Sequence, residues 1–358
     1  MKAVILAAGE GARMGPFTAS EPKVMIPVGN RPILEHVVRA LAEQDVRDIV
    51  IVVGYRRERI MSYFEDGKPF DARIEYAVEG KQLGTGHSLS EARPKVQGEF
   101  LVLNGSNLLD HHAISDLIEG RHGPSVLITE SENPSKYGVV LLSEDRVSKI
   151  VEKPREPIGN LINTGAYALD ESIFPAIEAL ARQGKHDLPS AVEALSATKP
   201  VRAIRTKGMW QDALYPWDLL RLNAEVLKSV HSVKAGTIES GVTIRGKVSI
   251  GDGTVLRGGS YIQGPVSIGE GCEVGPQSVI LNEGGDIQGG GHAISSRFEA
   301  VQASSVLSTA RWYSGPRSSR LPSSSAAFHA STSRDVVGNC GAGSSGCAVL
   351  AIITMTGR

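Results

Sequence analysis

The chain is short of the features that mark the more specialised protein classes. It has only 3 cysteines, Cys272, Cys340 and Cys347, at spacings that suit neither a metal site nor a redox pair, so a reducing, cytoplasmic setting is expected. It has almost no excess charge of either sign: 38 Lys and Arg against 39 Asp and Glu leave a net charge of -1, which argues against a general nucleic-acid binder. No apolar run reaches the roughly 20 residues of a membrane span, and the longest late one, Cys347 to Met355, is about half that. The opening run Val4-Ile5-Leu6-Ala7-Ala8 is too short for a secretory signal and stops at Gly9-Glu10, so it reads as a strand. Two nucleotide signatures are also missing: no GxGxxG follows that strand, and no Gly-Lys-Ser/Thr makes a P-loop. What is left, 41% apolar and 22% charged over 358 residues, is a globular composition with length for two domains.

The most informative stretch is the first twenty-eight residues. The apolar run from Ala3 to Ala8 empties into Gly9-Glu10-Gly11, then Arg13, and Lys23 follows Pro22. Glycines let backbone N–H groups close on an anion, and a guanidinium and an ammonium neutralise charge that moves between phosphates. A glycine turn alone is often only a turn; the longer pattern says more. Gly9-x-Gly11-x-Arg13-Met14, Pro16-x-Thr18 and Pro22-Lys23-x-Met25-x-Pro27-Val28 together resemble the signature of the sugar-1-phosphate nucleotidylyltransferases.

The chain beyond supports an α/β fold. Ile33, Leu34, Val37, Val38 and Leu41 recur at helical spacing, and strands are expected at 48–53, 73–78, 100–104, 125–129, 139–142 and 147–151, with helices near 88–92, 114–119 and 173–182. Such alternation predicts a Rossmann-like mixed, mostly parallel sheet with helices on both faces and sites at the carboxyl ends of the strands. The resemblance then implies roles. Ala8, Gly9, Gly11, Gly84 and Thr85 would bind the nucleotide, and Gln82, in Gln82-Leu83-Gly84-Thr85, would read a pyrimidine edge with its amide. Arg13 would stabilise departing pyrophosphate, Lys23 the α-phosphate, and Asp212, in Gly208-x-Trp210-x-Asp212, would be a ligand of Mg²⁺. Asn104, Gly138, Glu152, Lys153 and Asn163 would bind the sugar phosphate. The implied partners are a nucleoside triphosphate, UTP or dTTP, and a hexose or N-acetylhexosamine 1-phosphate, with neither nucleic acid nor membrane. At one point the chain departs from the family: Gly105-Ser106-Asn107 stands where relatives carry Gly-Asp, and Ser106 is a poor ligand for a hard cation.

From residue 231 the period changes. Ile238, Ile244, Ile250, Leu256, Ile262, Ile268, Val274 and Ile280 fall every sixth position, the hexapeptide repeat of a parallel β-helix. Resemblance to hexapeptide-repeat acyltransferases implies a left-handed helix and a homo-oligomer, a trimer in the first instance. Under three coils leave an open end that needs a cap. After Glu283 the period fails, and residues 284–358 read equally as a serine-rich tail or as a shifted reading frame. The expected organisation is thus a nucleotidyltransferase domain at 1–230, repeats at 231–283 and an unassigned tail. Two other readings stand beside the transferase one: a non-catalytic module that binds a nucleotide or sugar phosphate, and a bifunctional enzyme that also acetylates an amino sugar phosphate.

Overall fold

An unbroken apolar run has no polar face to offer water, and Ala3 to Ala7 are accordingly all buried in the first strand. The computed structural model describes residues 1–281 and divides into two units, Met1–Ser229 and a second that begins at Val230. In the first unit the chain runs through β1 (Lys2–Ala7), β2 (Pro27–Val28), β3 (Arg31–Pro32), α1 (Ile33–Glu43), β4 (Asp48–Val53), α2 (Arg57–Phe64), β5 (Arg73–Val78) and α3 (Thr85–Ala92). It continues through β6 (Phe100–Asn104), β7 (Asn107–Leu109), α4 (His111–Gly120), β8 (Ser125–Glu130), β9 (Gly138–Ser143), β10 (Arg146–Glu152) and β11 (Leu161–Leu169). Last come α5 (Ile173–Ala181), α6 (Leu188–Ser196), β12 (Arg202–Arg205), β13 (Trp210–Asp212) and α7 (Asp218–Lys228).

Nine strands make one mixed sheet in the order β5-β4-β1-β6-β11-β8-β12-β10-β9. The first four are parallel, as are β8 and β12, while β11 and β10 run antiparallel to their neighbours. Val4, Leu6, Val50, Val52 and Val102 pack against Leu89, Phe174, Leu188 and Val192 of α3, α5 and α6. The alternate residues Ile5, Ile51 and Leu103 are equally buried, and Leu34 of α1 lies on the Ile5 side. Both faces of the sheet are therefore covered, as the apolar runs predict.

Among the elements that leave little trace in the sequence are α2, β11 and α6. Helix α2, Arg-Glu-Arg-Ile-Met-Ser-Tyr-Phe, buries only Ile60 and Phe64, too narrow a stripe for a clear period. Strand β11 contains Asn163-Thr164-Gly165, a turn composition, and its register shifts between Asn163 and Tyr167. Helix α6 opens on Leu188-Pro189 and is held by its cap, with Asp187 Oδ1 accepting from the Ser190 amide at 2.8 Å.

The second unit consists of short strands: β14 (Val233–Lys234), β15 (Thr237–Ile238), β16 (Thr243–Arg245), β17 (Val248–Ile250), β18 (Val255–Leu256), β19 (Tyr261–Gln263), β20 (Val266–Ile268), β21 (Glu273–Val274) and β22 (Val279–Leu281). They form three parallel sheets, β14-β17-β20, β15-β18-β21 and β16-β19-β22. Thr237 pairs with Val255, and Val255 with Glu273, a step of 18 residues or three hexapeptides per coil. Ile250, Leu256 and Ile262 are fully buried along the axis. Thr254 and Ser260 sit inside as well, their hydroxyls donating to the Gly269 and Gly275 carbonyls at 2.6 and 2.8 Å. This is the architecture of a hexapeptide β-helix. The alternatives for residues 284–358 lie outside the described residues.

Candidate active site

The parallel register sets the site's position. Ala7, Val53 and Val78 are level across three strands, and Leu6 is level with Asn104. With strands about 4.8 Å apart, the turns after β1, β4, β5 and β6 leave from one edge. They carry Ala8, Gly9, Gly11, Gln82 and Ser106, with Asn104 at the end of β6.

The first loop folds back onto Lys23. Gly11 has φ +71, and a Cβ there would lie 2.6 Å from Lys23 Cβ. Its carbonyl accepts from the Met14 amide at 2.9 Å and from Thr18 Oγ1 at 3.2 Å. Gly11 is thus required both for its conformation and for the room its missing side chain leaves. Gly11→Ala meets backbone strain of about 1–3 kcal/mol and a clash with the base of the lysine side chain. The expected outcome in a turnover assay is a loss of about 10²-fold, with Tm lower by a few degrees.

Lys23 Nζ lies 3.6 Å from Asp212 Oδ1, with side-chain exposures of 16% and 11%. That separation is an ion pair but longer than a hydrogen bond, and Oδ1 is buried without a hydrogen-bond partner. Burial pushes the Lys23 ammonium down, opposed by Asp212, while Arg13 adds a further downward push. Burial pushes Asp212 up, opposed by Lys23; nearby Asp218 raises it further and Arg13 lowers it. Arg13 is exposed and enters no ion pair among the described residues, yet its charge reaches both groups. The three charged residues expected in the site are therefore together.

Asp212 arrives there through a two-stranded ribbon in which it pairs with Asn107, directly after Ser106. Asn107 Nδ2 and Trp210 Nε1 both donate to the Thr164 carbonyl, at 2.6 and 2.8 Å, tying the ribbon to β11. No cluster of three or more His, Cys, Asp or Glu suited to a metal occurs among the described residues. Asp212 Oδ1, which faces Lys23 Nζ but accepts no hydrogen bond, nonetheless fits a Mg²⁺ held by one carboxylate, with substrate phosphates and waters as its other ligands.

Of the expected sugar-phosphate residues, Gly138, Glu152 and Asn163 lie on β9, β10 and β11, Lys153 directly follows β10, and Asn104 ends β6. Gly138 pairs with Glu152, and a Cβ on Gly138 would lie 3.0 Å from Glu152 Oε2 and 3.8 Å from Asn163 Cβ. Lys153, at φ 46, donates its amide to the Tyr137 carbonyl at 2.9 Å, and its Nζ lies 3.3 Å from Glu152 Oε1. The Asn104 amide occupies the space beside Gly165. Asn163 has its side chain committed to its own strand: Nδ2 donates to Tyr167 Oη at 2.6 Å and Oδ1 accepts from the Gly165 amide at 2.9 Å.

The loop after β5 is mixed in character. Gln82 is exposed, and its side chain makes no hydrogen bond among the described residues. Gly84 and Gly86 instead press on the backbone of His186: a Cβ would lie 2.6 and 2.9 Å from its carbonyl oxygen. Thr85 Oγ1 accepts from the Leu188 amide at 2.9 Å, at the start of α6. Behind the loop, buried Glu79 accepts from Ser88 Oγ and bonds His87 Nδ1, each at 2.7 Å.

Sequence reasoning gave no role to the aromatic wall beside Asp212. Tyr137 and Trp210 meet edge to face with centroids 5.2 Å apart, and both line a cavity of about 640 Å³ with Gln211, Tyr215, Asp218 and Arg221. Burial pushes the Tyr137 phenol up, with Asp212 adding to it. The tryptophan within Gly208-x-Trp210-x-Asp212 was the available signal.

Comparison with known proteins gives the family of each unit. Residues 2–229 match the family model described as nucleotidyl transferase, and residues 247–282 match bacterial transferase hexapeptide (six repeats). The chain is 38% identical over 262 residues to the bifunctional protein GlmU of Methanococcus maripaludis strain S2, covering 72% of this chain and 62% of that one. It is 33% identical over 285 residues to the bifunctional sugar-1-phosphate nucleotidylyltransferase/acetyltransferase of Sulfurisphaera tokodaii, covering 78% and 69%. Among solved structures, it is similar to a Bacillus anthracis protein provisionally named a glucose-1-phosphate thymidylyltransferase, solved with sucrose. The TM-score is 0.60 and the identity 26%, over 65% of this chain and 98% of that one. The chain spans about 62% of the length of the GlmU relative.

Proposed function

This chain belongs to the nucleotidyl transferase family, and on that premise we propose that it joins a hexose or N-acetylhexosamine 1-phosphate to UTP or dTTP. A phosphate oxygen of the sugar 1-phosphate forms a bond to the α-phosphorus as the bond from that phosphorus to the bridging oxygen of the β-phosphate breaks. The products are a nucleoside-diphosphate sugar and pyrophosphate. The protein's part is orientation and charge neutralisation. Lys23 faces the α-phosphate, Arg13 the departing pyrophosphate, and Gln82 the pyrimidine edge. Glu152 and Lys153, with Gly138, Asn104 and Asn163 around them, hold the sugar phosphate. The family generally uses a divalent metal; here Asp212 Oδ1 would hold Mg²⁺, which supplies positive charge against the phosphoryl oxygens.

The observation that carries the reading is the buried Lys23–Asp212 pair, whose Oδ1 accepts no hydrogen bond, at the carboxyl edge of the parallel strands. The test is a pyrophosphate-release matrix of UTP and dTTP against glucose 1-phosphate and N-acetylglucosamine 1-phosphate. At least one pair is expected to release pyrophosphate in step with sugar nucleotide, and silence from every pair overturns the reading. Ser106 favours a second reading, nucleotide binding without transfer; saturable UTP binding with no pyrophosphate from any pair would favour it. The same proposal includes a left-handed turn for the β-helix, a trimer built through it, a cytoplasmic setting, and the division at 1–230, 231–283 and 284–358.

A further inference from the structure

Glu21 is a buried carboxylate that the proposed reaction does not use. It is 6% exposed, and neither of its carboxylate oxygens has a hydrogen-bond partner. Arg59 of α2 places Nε 3.1 Å from Oε1, an ion-pair distance. The residues just before α2 and at its start grip the segment ahead of Glu21. Tyr55 Oη donates to the Thr18 and Ala19 carbonyls at 2.9 and 3.3 Å, and Arg56 Nη2 donates to the Ala19 carbonyl at 2.7 Å. Thr18 in turn donates to the Gly11 carbonyl, and Gly11 lies against the Lys23 side chain. Only Pro22, at φ −64, separates Glu21 from Lys23, and its ring leaves little slack.

We propose that Glu21 is a positioning residue for Lys23: its charge pair with Arg59, beside the Tyr55–Arg56 clamp, fixes how the Pro22-Lys23 segment enters the site. The inference rests on the transferase reading above. Its consequence is a dependence on pH in the neutral range. Burial pushes Glu21 up to about 7, and the guanidinium groups of Arg59 and then Arg56 pull it back. On its own segment, the Lys23 charge is directed at Asp212. Because the folded value lies above the ordinary 4.5, ionisation of Glu21 costs stability. That cost is present above about pH 7 and is relieved as pH falls toward 4.5. Activity needs the ionised form, so activity and stability move in opposite directions between pH 6 and 8.

The experiment measures kcat, nucleotide KM and Tm from pH 6 to 8 for the parent, Glu21→Gln and Arg59→Met. Parent pyrophosphate release comes first, since its absence counts against the transferase reading alone; the same profiles are then read in UTP affinity. For Glu21→Gln the expected result is a kcat about tenfold to a hundredfold lower at pH 8, loss of the acid limb near pH 7, and a higher Tm at pH 8. Arg59→Met is expected to lower kcat at pH 8, because the pair is lost, and to move the remaining limb to higher pH, because it removes the stronger counter-charge. A Glu21→Gln protein that keeps the parent's kcat and limb overturns the proposal, and so does one that loses kcat and Tm together. If Glu21→Gln does not fold, an unmoved limb in Arg59→Met overturns it.

Discussion

Replacing Lys23 with methionine is expected to lower turnover by about 10²–10³, the usual loss when one charge stabiliser of a transition state is removed. The effect on stability has a sign that separates this residue from an ordinary surface lysine. Breaking a buried pair by deleting one partner costs about 3–5 kcal/mol because the other charge stays buried and uncompensated. In this protein the stranded group is Asp212, which burial already pushes up and which Lys23 holds down. In Lys23→Met its folded value rises further above the unfolded one. The penalty is therefore greater at high pH and fades as pH falls through the folded value and the carboxyl takes a proton. The double variant Lys23→Met, Asp212→Asn is expected to regain most of the stability at pH 8 and none of the turnover. Thermal melts at pH 5 and 8 beside a pyrophosphate assay check both halves; equal melting losses at the two pH values would contradict the assignment.

Ser106→Asp is expected to act in the opposite direction and raise turnover. Ser106 sits in the turn before β7, and the next residue, Asn107, pairs with Asp212. A carboxylate at Ser106 supplies a second anionic ligand for a hard cation where the chain now offers a weak one. The gain expected is tenfold or more, toward the 10²–10³ that one electrostatic stabiliser contributes elsewhere, with half-maximal activity at lower Mg²⁺. Without Mg²⁺ the variant should melt below the parent, because a second carboxylate is then placed near buried Asp212 with no cation between them, and added Mg²⁺ should reverse the order. A variant no faster than the parent at saturating Mg²⁺ would mean that Ser106 is not what limits the site.

Much of this could be read from the residues because burial on both faces imposes uninterrupted apolar runs. β1, β4 and β6 are such strands, while the edge strand β5 alternates buried and exposed residues; the turns after β1 and β5 hold the first loop and the Gln82 loop. The coils were legible for a similar reason, since a stack with 18 residues per turn repeats its inward aliphatic every sixth position. The meeting of Lys23 with Asp212 leaves no period, because a two-stranded ribbon creates it across almost two hundred residues; the resemblance of the flanking motifs implied it. Strand β11 was hidden by the turn-like composition of Asn163-Thr164-Gly165, and with it the use of the Asn163 amide inside its own strand. The clamp of Tyr55, Arg56 and Arg59 on residues 18–21 was hidden as well, since guanidinium and phenol contacts to carbonyls of a distant loop follow no spacing rule.

The central claim is that the Lys23–Asp212 pair lies where a triphosphate brings its charge, and titration of UTP in the absence and presence of Mg²⁺ tests it most directly. Without Mg²⁺, Lys23→Met should bind UTP at least about tenfold more weakly than the parent. Asp212→Asn should bind it more tightly, since a charge about 4 Å from a phosphate is worth several kcal/mol at a partly buried site. With Mg²⁺ the Asp212→Asn advantage should disappear or reverse. Affinities that match the parent in both variants, with and without the cation, would contradict the account.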